Sequence, residues 1–390
     1  MRVRSRALAG VGAACLAAVA VAGCGAGSSS SAAASVSVTG HTLTIVLSEP
    51  RSIAHDPAEL DIVDAEKLAF TADRHEVTDF KLALETARGR QLSDNARKAI
   101  VDSTAIAYLG ELAPGTSDQT VGITNAVDLL QVSPTDNAIE LGSRTPAVPG
   151  GPQSLFESWS TYGRTFARVV PGGLEEARAE VAEMKAMGVS SLYVGSDSSA
   201  YGRAMAAAVG GDARGAGIKL TRSPASASAI FYGAQSPAAA ARFFNHAAAV
   251  APGAKLFGPS SLNVGVFVPS LTAAAAARVY VSIPGYLPAH LPAAARAFAA
   301  EFRIAYGHAP NPEAIFGYAA MSALLRVLAN EGKNANNRTA VVKEFLSLRR
   351  VTSVLGTYSI NSAGNTSLDA FVFAHVRAGR LVPFVAAPAG

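Results

Sequence analysis

One feature restricts this chain more than any other. Apolar or β-branched runs of three to five residues alternate with Ala-rich stretches that carry helical spacing. The runs are Leu43–Leu47, Ala105–Leu109, Leu129–Val132, Leu192–Val194, Ala229–Tyr232, Lys255–Phe257 and Val279–Val281. Each is long enough for a buried strand and too short for a helix, so the alternation predicts parallel sheets covered by helices on both faces. With 390 residues and 49% hydrophobic content there is material for two cores. The expected fold class is therefore α/β, with two doubly wound parallel-sheet lobes.

Between the runs, Ala177, Val181, Met184 and Gly188 mark one face and the end of a helix that is rich in Glu near its start, where the helix dipole favours acid. Phe298, Phe302 and Tyr306 repeat at four-residue spacing. A longer stripe, Ala314, Tyr318, Met321, Leu325 and Leu328, follows Asn311-Pro312, which reads as a cap and first helical position. Ser143 to Tyr162, with its prolines and glycines, reads as a long loop near a lobe boundary. It holds Trp159, the chain's one Trp, which is expected to pack on its own lobe.

The chemistry-bearing residues exclude more than they suggest. Both cysteines, Cys15 and Cys24, precede residue 25, so the body has neither a disulfide pair nor a cysteine nucleophile. The seven histidines are scattered without metal-ligand spacing, and no phosphate loop or nucleophile elbow is present. No cofactor, no metal and no enzymatic activity are expected. The formal charge of +4 includes Arg2, Arg4 and Arg6, so the body is close to neutral and nucleic acid is not an expected partner.

Those three arginines open a leader. Ala7 to Ala20 is an apolar run below the ~20 residues of a membrane span, and it ends in Val21-Ala22-Gly23-Cys24. This ending resembles a bacterial lipobox, which implies cleavage before Cys24 and lipidation of its sulfur. Residues 1–24 are then a lipoprotein signal peptide and residues 25–40 a Gly/Ser/Ala tether. The expected location is the extracytoplasmic face of the cell membrane.

In an open parallel sheet, ligands sit beyond the carboxyl ends of strands, where helix N-termini offer free N–H groups. Polar turns after Leu109 (Gly110 to Ser117), Val132 (Ser133 to Asn137) and Val194 (Gly195 to Gly202) are the candidates, although caps and turn formers explain each one alone.

Read in order, Ala96-Arg97-Lys98-Ala99, Ile106 to Glu111, Gln131-Val132-Ser133-Pro134, Ala167 to Pro171, Asp197 with Tyr201-Gly202, Phe257-Gly258-Pro259, Ile315 to Met321 and Val354 to Asn361 carry a resemblance. The chain resembles the leucine-binding family, the substrate-binding proteins of branched-chain amino acid ABC transporters, in its actinobacterial lipoprotein form. The resemblance implies a type I periplasmic-binding-protein fold with an N-terminal lobe of residues 41–168 and 284–354 and a C-terminal lobe of residues 169–283 and 355–390. Three crossings are implied, near Arg168 to Pro171, Val281 to Tyr286 and Leu355 to Tyr358. The function implied is a solute receptor that closes on a small molecule and passes it to an ABC permease. The alternative is a ligand-sensing or non-transport surface lipoprotein with a degenerate cleft and a membrane sensor partner.

By the same resemblance the ligand-binding candidates are Pro114, Gly115, Thr116, Thr135, Asp136, Asn137, Tyr201, Gln235 and Ser260. The family's ligand-carboxylate hydroxyls align with Pro114 and Asn137 and are missing. Backbone N–H groups of Gly115 and Thr116 and the Asn137 amide are the expected replacements. The acid that pairs with a ligand ammonium is also missing, because its turn reads Gly258-Pro259-Ser260. An unpaired ammonium in a dry cleft is costly. The expected ligand is a small polar or amino-acid-like metabolite, such as an amide, a carboxylic acid or an aromatic acid, with a standard α-amino acid disfavoured and Asp136 as the nearest relocated counter-charge or else a helix cap.

Overall fold

The structure is a computed structural model that describes residues 36–52, 56–72 and 76–387. The expected signal peptide, Cys24 and most of the tether lie outside the described residues.

The first sheet uses β1 (Thr42–Ser48), β2 (Glu76–Val77), β3 (Phe80–Ala87), β4 (Ala105–Leu109), β5 (Leu130–Ser133) and β6 (Phe166–Arg168), in the order β2-β3-β1-β4-β5-β6. Every pairing is parallel except that of the edge strand β2 with β3. β1 and β4 run through the middle and are buried along almost their whole length, as continuous apolar runs in a two-sided sheet should be.

The second sheet draws on β7 (Ser191–Ser196), β8 (Lys219–Leu220), β9 (Ala229–Gly233), β10 (Lys255–Gly258) and β11 (Val279–Pro284). After a small hairpin of β12 (Val351–Ser353) and β13 (Gly356–Tyr358), it is completed by β14 (Phe371–Arg377) and β15 (Arg380–Ala386). Its order is β15-β14-β11-β10-β9-β7-β8, parallel from β8 to β11 and antiparallel through the last two strands. All seven strand runs read from the sequence form strands. β3 was not among them because Lys81, Glu85 and Thr86 break its apolar pattern. The closing hairpin of β14 and β15 was also missed, because hairpin strands lack the intervening helix on which the alternation rests.

The helices of the first half are α1 (Pro57–Thr71), α2 (Leu92–Val101), α3 (Val121–Asn125), α4 (Ile139–Gly142) and α5 (Trp159–Tyr162). They are followed by α6 (Gly173–Ala186), α7 (Ala200–Gly215), α8 (Pro237–Val250), α9 (Ala273–Ala276), α10 (Ala293–Tyr306), α11 (Ala314–Glu331) and α12 (Arg338–Leu346). α1 and α11 share the first core with β1 and β4, together with Phe298 and Phe302 of α10. The Asp56 carboxylate caps α1 by accepting the Ala58 and Glu59 N–H groups, and Pro57 fills the first turn.

α11 begins later than expected. Its cap position is Glu313, not Asn311. Asn311 is drawn away by the buried Asp61 carboxylate of α1, which accepts its backbone N–H at 2.8 Å, its amide at 2.6 Å and His308 Nε2 at 2.9 Å.

The chain passes between the sheets after β6, after β11 and after β13. The third passage comes later than the resemblance implies, because Leu355, Tyr358 and Ile360 pack in the first core. At that passage the fully buried Arg168 donates from Nε and Nη2 to Asn365 Oδ1 at 3.0 and 2.7 Å, and its N–H bonds the Gly364 carbonyl at 2.9 Å. Gly364 has φ +72°, and a Cβ there would collide with the Phe166 carbonyl. At the entry to the body, Val38 N–H donates to Asn336 O at 2.7 Å and Arg338 N–H to Val36 O at 2.8 Å. No helix among the described residues is long and apolar enough to cross a membrane.

The tightest helix crossing lies at Gly317, whose missing side chain lets α11 approach the Ile62 carbonyl of α1. Gly317→Ala is expected to lower the free energy of unfolding by about 1–3 kcal/mol, because the overpacked helix must shift. Urea denaturation checks this, and a loss under about 0.5 kcal/mol would show that the contact yields without cost.

Candidate functional site

A cavity of about 160 Å³ lies between the two lobes. Its position follows from the topology. From the first lobe it receives Glu59 and Ile62 of α1, the turn Leu112 to Pro114 after β4, Thr135 after β5 and Glu313 ahead of α11. From the second lobe it receives Gln235 and Pro237 after β9 and Ser260 to Val264 after β10. The cavity therefore sits where strand carboxyl ends from both sheets face each other, the position expected of a ligand in open α/β sheets. Drug-sized pockets run to roughly 300–1,000 Å³, so this one suits a small solute.

Of the nine residues expected from the sequence, Pro114, Thr116, Thr135, Gln235 and Ser260 line the cavity, whereas Gly115, Asp136, Asn137 and Tyr201 do not. The cap position of α4 is Ala138, while Asp136 is fully buried and bonds backbone N–H groups of both turns. Its Oδ1 accepts Gly115 N–H at 2.7 Å and Ala138 N–H at 3.1 Å, and its Oδ2 accepts Ser117 N–H at 2.7 Å. Burial pushes this carboxyl up, and the three donors pull it back.

The expected anion donors are thereby used inside the protein. Gly115 N–H belongs to Asp136, and Thr116 N–H bonds the Ala113 carbonyl at 3.2 Å. Thr135 and Thr116 hydroxyls donate to the Leu112 and Ala113 carbonyls. Asn137 donates its amide to Glu176 Oε2 at 2.5 Å and to Ser260 Oγ at 3.0 Å. The reading of these groups as free donors for a carboxylate is corrected accordingly, since a buried donor takes the acceptor that folding brings to it.

Three amides bridge the lobes. Besides Asn137, Gln235 Nε2 donates to the Gly115 carbonyl at 2.9 Å and Asn263 Nδ2 to Glu313 Oε2 at 2.7 Å. Glu176 of α6 also accepts Ser260 N–H and the Ser282 hydroxyl, each at 2.6 Å. Glu176 is thus committed to the protein's own donors beside the Gly258-Pro259-Ser260 turn. The Tyr201 hydroxyl and Asn137 Oδ1 are buried without a hydrogen-bond partner. Trp159 stands apart from the cavity, 5.3 Å from the Phe156 ring centroid, with the Arg164 guanidinium over both rings.

The sequence reading missed the two carboxyls of the cavity wall. Burial, with Asp56 and Glu111 nearby, pushes Glu59 up to about 7. Burial pushes Glu313 up to about 8, with Asn263 pulling it down and Glu176, Glu59 and Asp56 pushing further up. A signal for Glu59 was present, because Asp56-Pro57-Ala58-Glu59 opens the helix that follows the first strand. Glu313 became legible only once Asn311 was seen to be held elsewhere. Among the described residues no Lys, Arg or His lines the cavity, and no group of His, Cys, Asp and Glu could hold a metal.

No family model matches the chain, and no curated protein matches it. Solved structures do. A leucine-binding protein from Thermotoga maritima superposes with TM-score 0.70 at 16% identity, covering 89% of this chain and 99% of that one. An ABC transporter substrate-binding protein from Desulfitobacterium hafniense in complex with Leu gives 0.70 at 17% identity, covering 88% and 100%. The fold is that of a type I periplasmic binding protein. A third such structure, an ABC transporter solute-binding protein from R. palustris in complex with benzoate, gives 0.65 at 16% identity, covering 89% and 96%. These type I binding-protein neighbours are substrate-binding proteins, not enzymes, and at such identities their likeness establishes the fold alone.

Buried carboxyls in this binding-protein fold predict an unusual pH profile. Burial raises Glu66 and Glu180 well above the ordinary range and Glu111 and Glu140 to about 7, alongside Glu59 and Glu313. Between about pH 4.5 and 8 the folded state holds more protons than the unfolded chain, so stability falls as pH rises, by about 1.4 kcal/mol per unit for each carboxyl still protonated. Glu49, which is lowered beside Arg88 and Lys67 near the surface, opposes this only weakly. The melting temperature is expected to drop from pH 5.5 to pH 8.5 in scanning calorimetry, and a flat or rising profile would contradict these assignments.

Proposed function

We propose that this chain is a lipid-anchored extracytoplasmic solute-binding protein that takes a small molecule into the cleft between its lobes and passes it to an ABC permease. The observation that carries the reading is the cavity itself, walled by both sheets at their strand carboxyl ends and spanned by the Asn137, Gln235 and Asn263 amides. A solute that touches both walls favours the closed arrangement over an open one, so binding and closure are coupled through differential contact. The leader from Arg2 to Cys24 supports anchoring, and the Gly/Ser/Ala stretch behind it supplies a leash. Neighbours with this fold are ABC transporter substrate-binding or solute-binding proteins, two of which hold leucine or benzoate, and this supports the transport reading.

The reading requires reversible binding without turnover. Purified full chain, denatured and extracted, is expected to release a small molecule visible by mass spectrometry. In a thermal-shift screen of amino acids, amines, amides and organic acids, at least one is expected to raise the melting temperature. A ligand at a hundred times its Kd adds about 2.7 kcal/mol to stability, a readily measured shift. Chemical conversion of the ligand, or silence across both experiments, would defeat the proposal.

A further inference from the structure

The chemistry of the cavity wall narrows the solute class, and this step rests on the receptor reading above. Several donors that would meet a carboxylate are spent. The N–H groups of Gly115 and Ser117 bond Asp136, that of Ser260 bonds Glu176, and the Asn137 amide bonds Glu176 and Ser260. No cationic side chain among the described residues lines the cavity. A carboxylate entering it would lose its hydration and find two acids.

The same wall is rich in acceptor capacity. Glu59 comes from the first turn of α1 and Glu313 from the cap of α11, two elements far apart in sequence that α1–α11 packing brings to one cavity. The Glu59 carboxylate forms no hydrogen bond or ion pair with the described residues. Glu313 holds only the Asn263 amide, on Oε2. Nearby charges on the surrounding elements, Asp56 of the α1 cap, Glu111 after β4 and Glu176 of α6, are all acidic and push the pair further from ionisation. The remaining wall is apolar, with Ile62, Leu112, Pro114, Pro237 and Val264.

We propose that the cleft selects a small amine with a short apolar body and no carboxylate, its ammonium placed between Glu59 and Glu313 and its body against Ile62, Leu112 and Val264. The ammonium supplies the cationic partner that half-buried Glu59 and buried Glu313 lack, and each acid supplies part of the shell the cation leaves in water. A charged donor between two carboxylates is the stronger kind of hydrogen-bonded contact. A neutral amide with the same body can donate as well, but it offers the acids no charge.

The test uses the purified full chain and two matched sets of probes: isobutylamine, isobutyramide and isobutyrate, and benzylamine, benzamide and benzoate. Calorimetry at pH 8.5 is expected to show the better-fitting amine binding at least tenfold more tightly than its amide, with its carboxylate weaker still. Lowering the pH to 6.5 is expected to weaken the amine, because protons must leave the acids on binding; heats in buffers of different ionisation enthalpy should show that release. Glu59→Gln is expected to cost the amine at least tenfold and the amide less than twofold. Glu313→Gln should do the same, and if that variant does not fold, Glu59→Gln alone decides. A carboxylate or amide that binds more tightly than its amine, or amine binding indifferent to Glu59→Gln, overturns the amine assignment and leaves the receptor reading intact. Should none of the six bind, the strongest hit of the thermal-shift screen decides: an amine without a carboxylate supports the assignment and any other class overturns it. A screen with no hit overturns the receptor reading itself.

Discussion

The geometry of the cleft depends on one buried carboxylate. Asp136 gathers the N–H groups of Gly115, Ser117 and Ala138, tying the turn after β4 to the segment after β5. A charge so deep in the protein is tolerable only because three backbone dipoles point at it, and each of those donors would be costly to leave unpaired in the same dry environment. The arrangement satisfies both needs and leaves the Gly115 and Ser117 N–H groups with nothing to offer an incoming anion. Ligand chemistry is therefore governed by what the turn has already bound.

Much of the architecture was legible in the sequence. The central strands β1 and β4 and the second-lobe strands β9 to β11 announce themselves as apolar runs, and their alternation with helices is what makes the sheets parallel. β3 was hidden because a strand next to the sheet edge tolerates Lys81 and Glu85 on its less buried positions. The closing hairpin was hidden because antiparallel pairing requires no helix between its strands.

The candidate site was legible by position and less so by chemistry. Strand ends pointed to the turns that hold Pro114, Thr116 and Thr135, and the family resemblance pointed to Gln235 and Ser260; these five line the cavity. Whether a donor is free, however, depends on tertiary partners that no local pattern encodes. Asn137 meets Glu176 across 39 residues and Ser260 across 123. Glu313 reaches the cavity because Asp61, on another helix, holds Asn311 and delays the start of α11. Glu176, in the first turn of α6, and Glu180 are both fully buried, which the Glu-rich start of that helix does not reveal.

The stitching of residues 36 and 38 to residues 336 and 338 has a mechanical consequence. Any pull arriving through the amino-terminal strand of chain is borne by the sheet built around β1 and by α12, without crossing the three connecting passages. The half that carries β7 to β11 lies outside that load path, joined to the other by the connecting passages and by the Asn137, Gln235 and Asn263 amides.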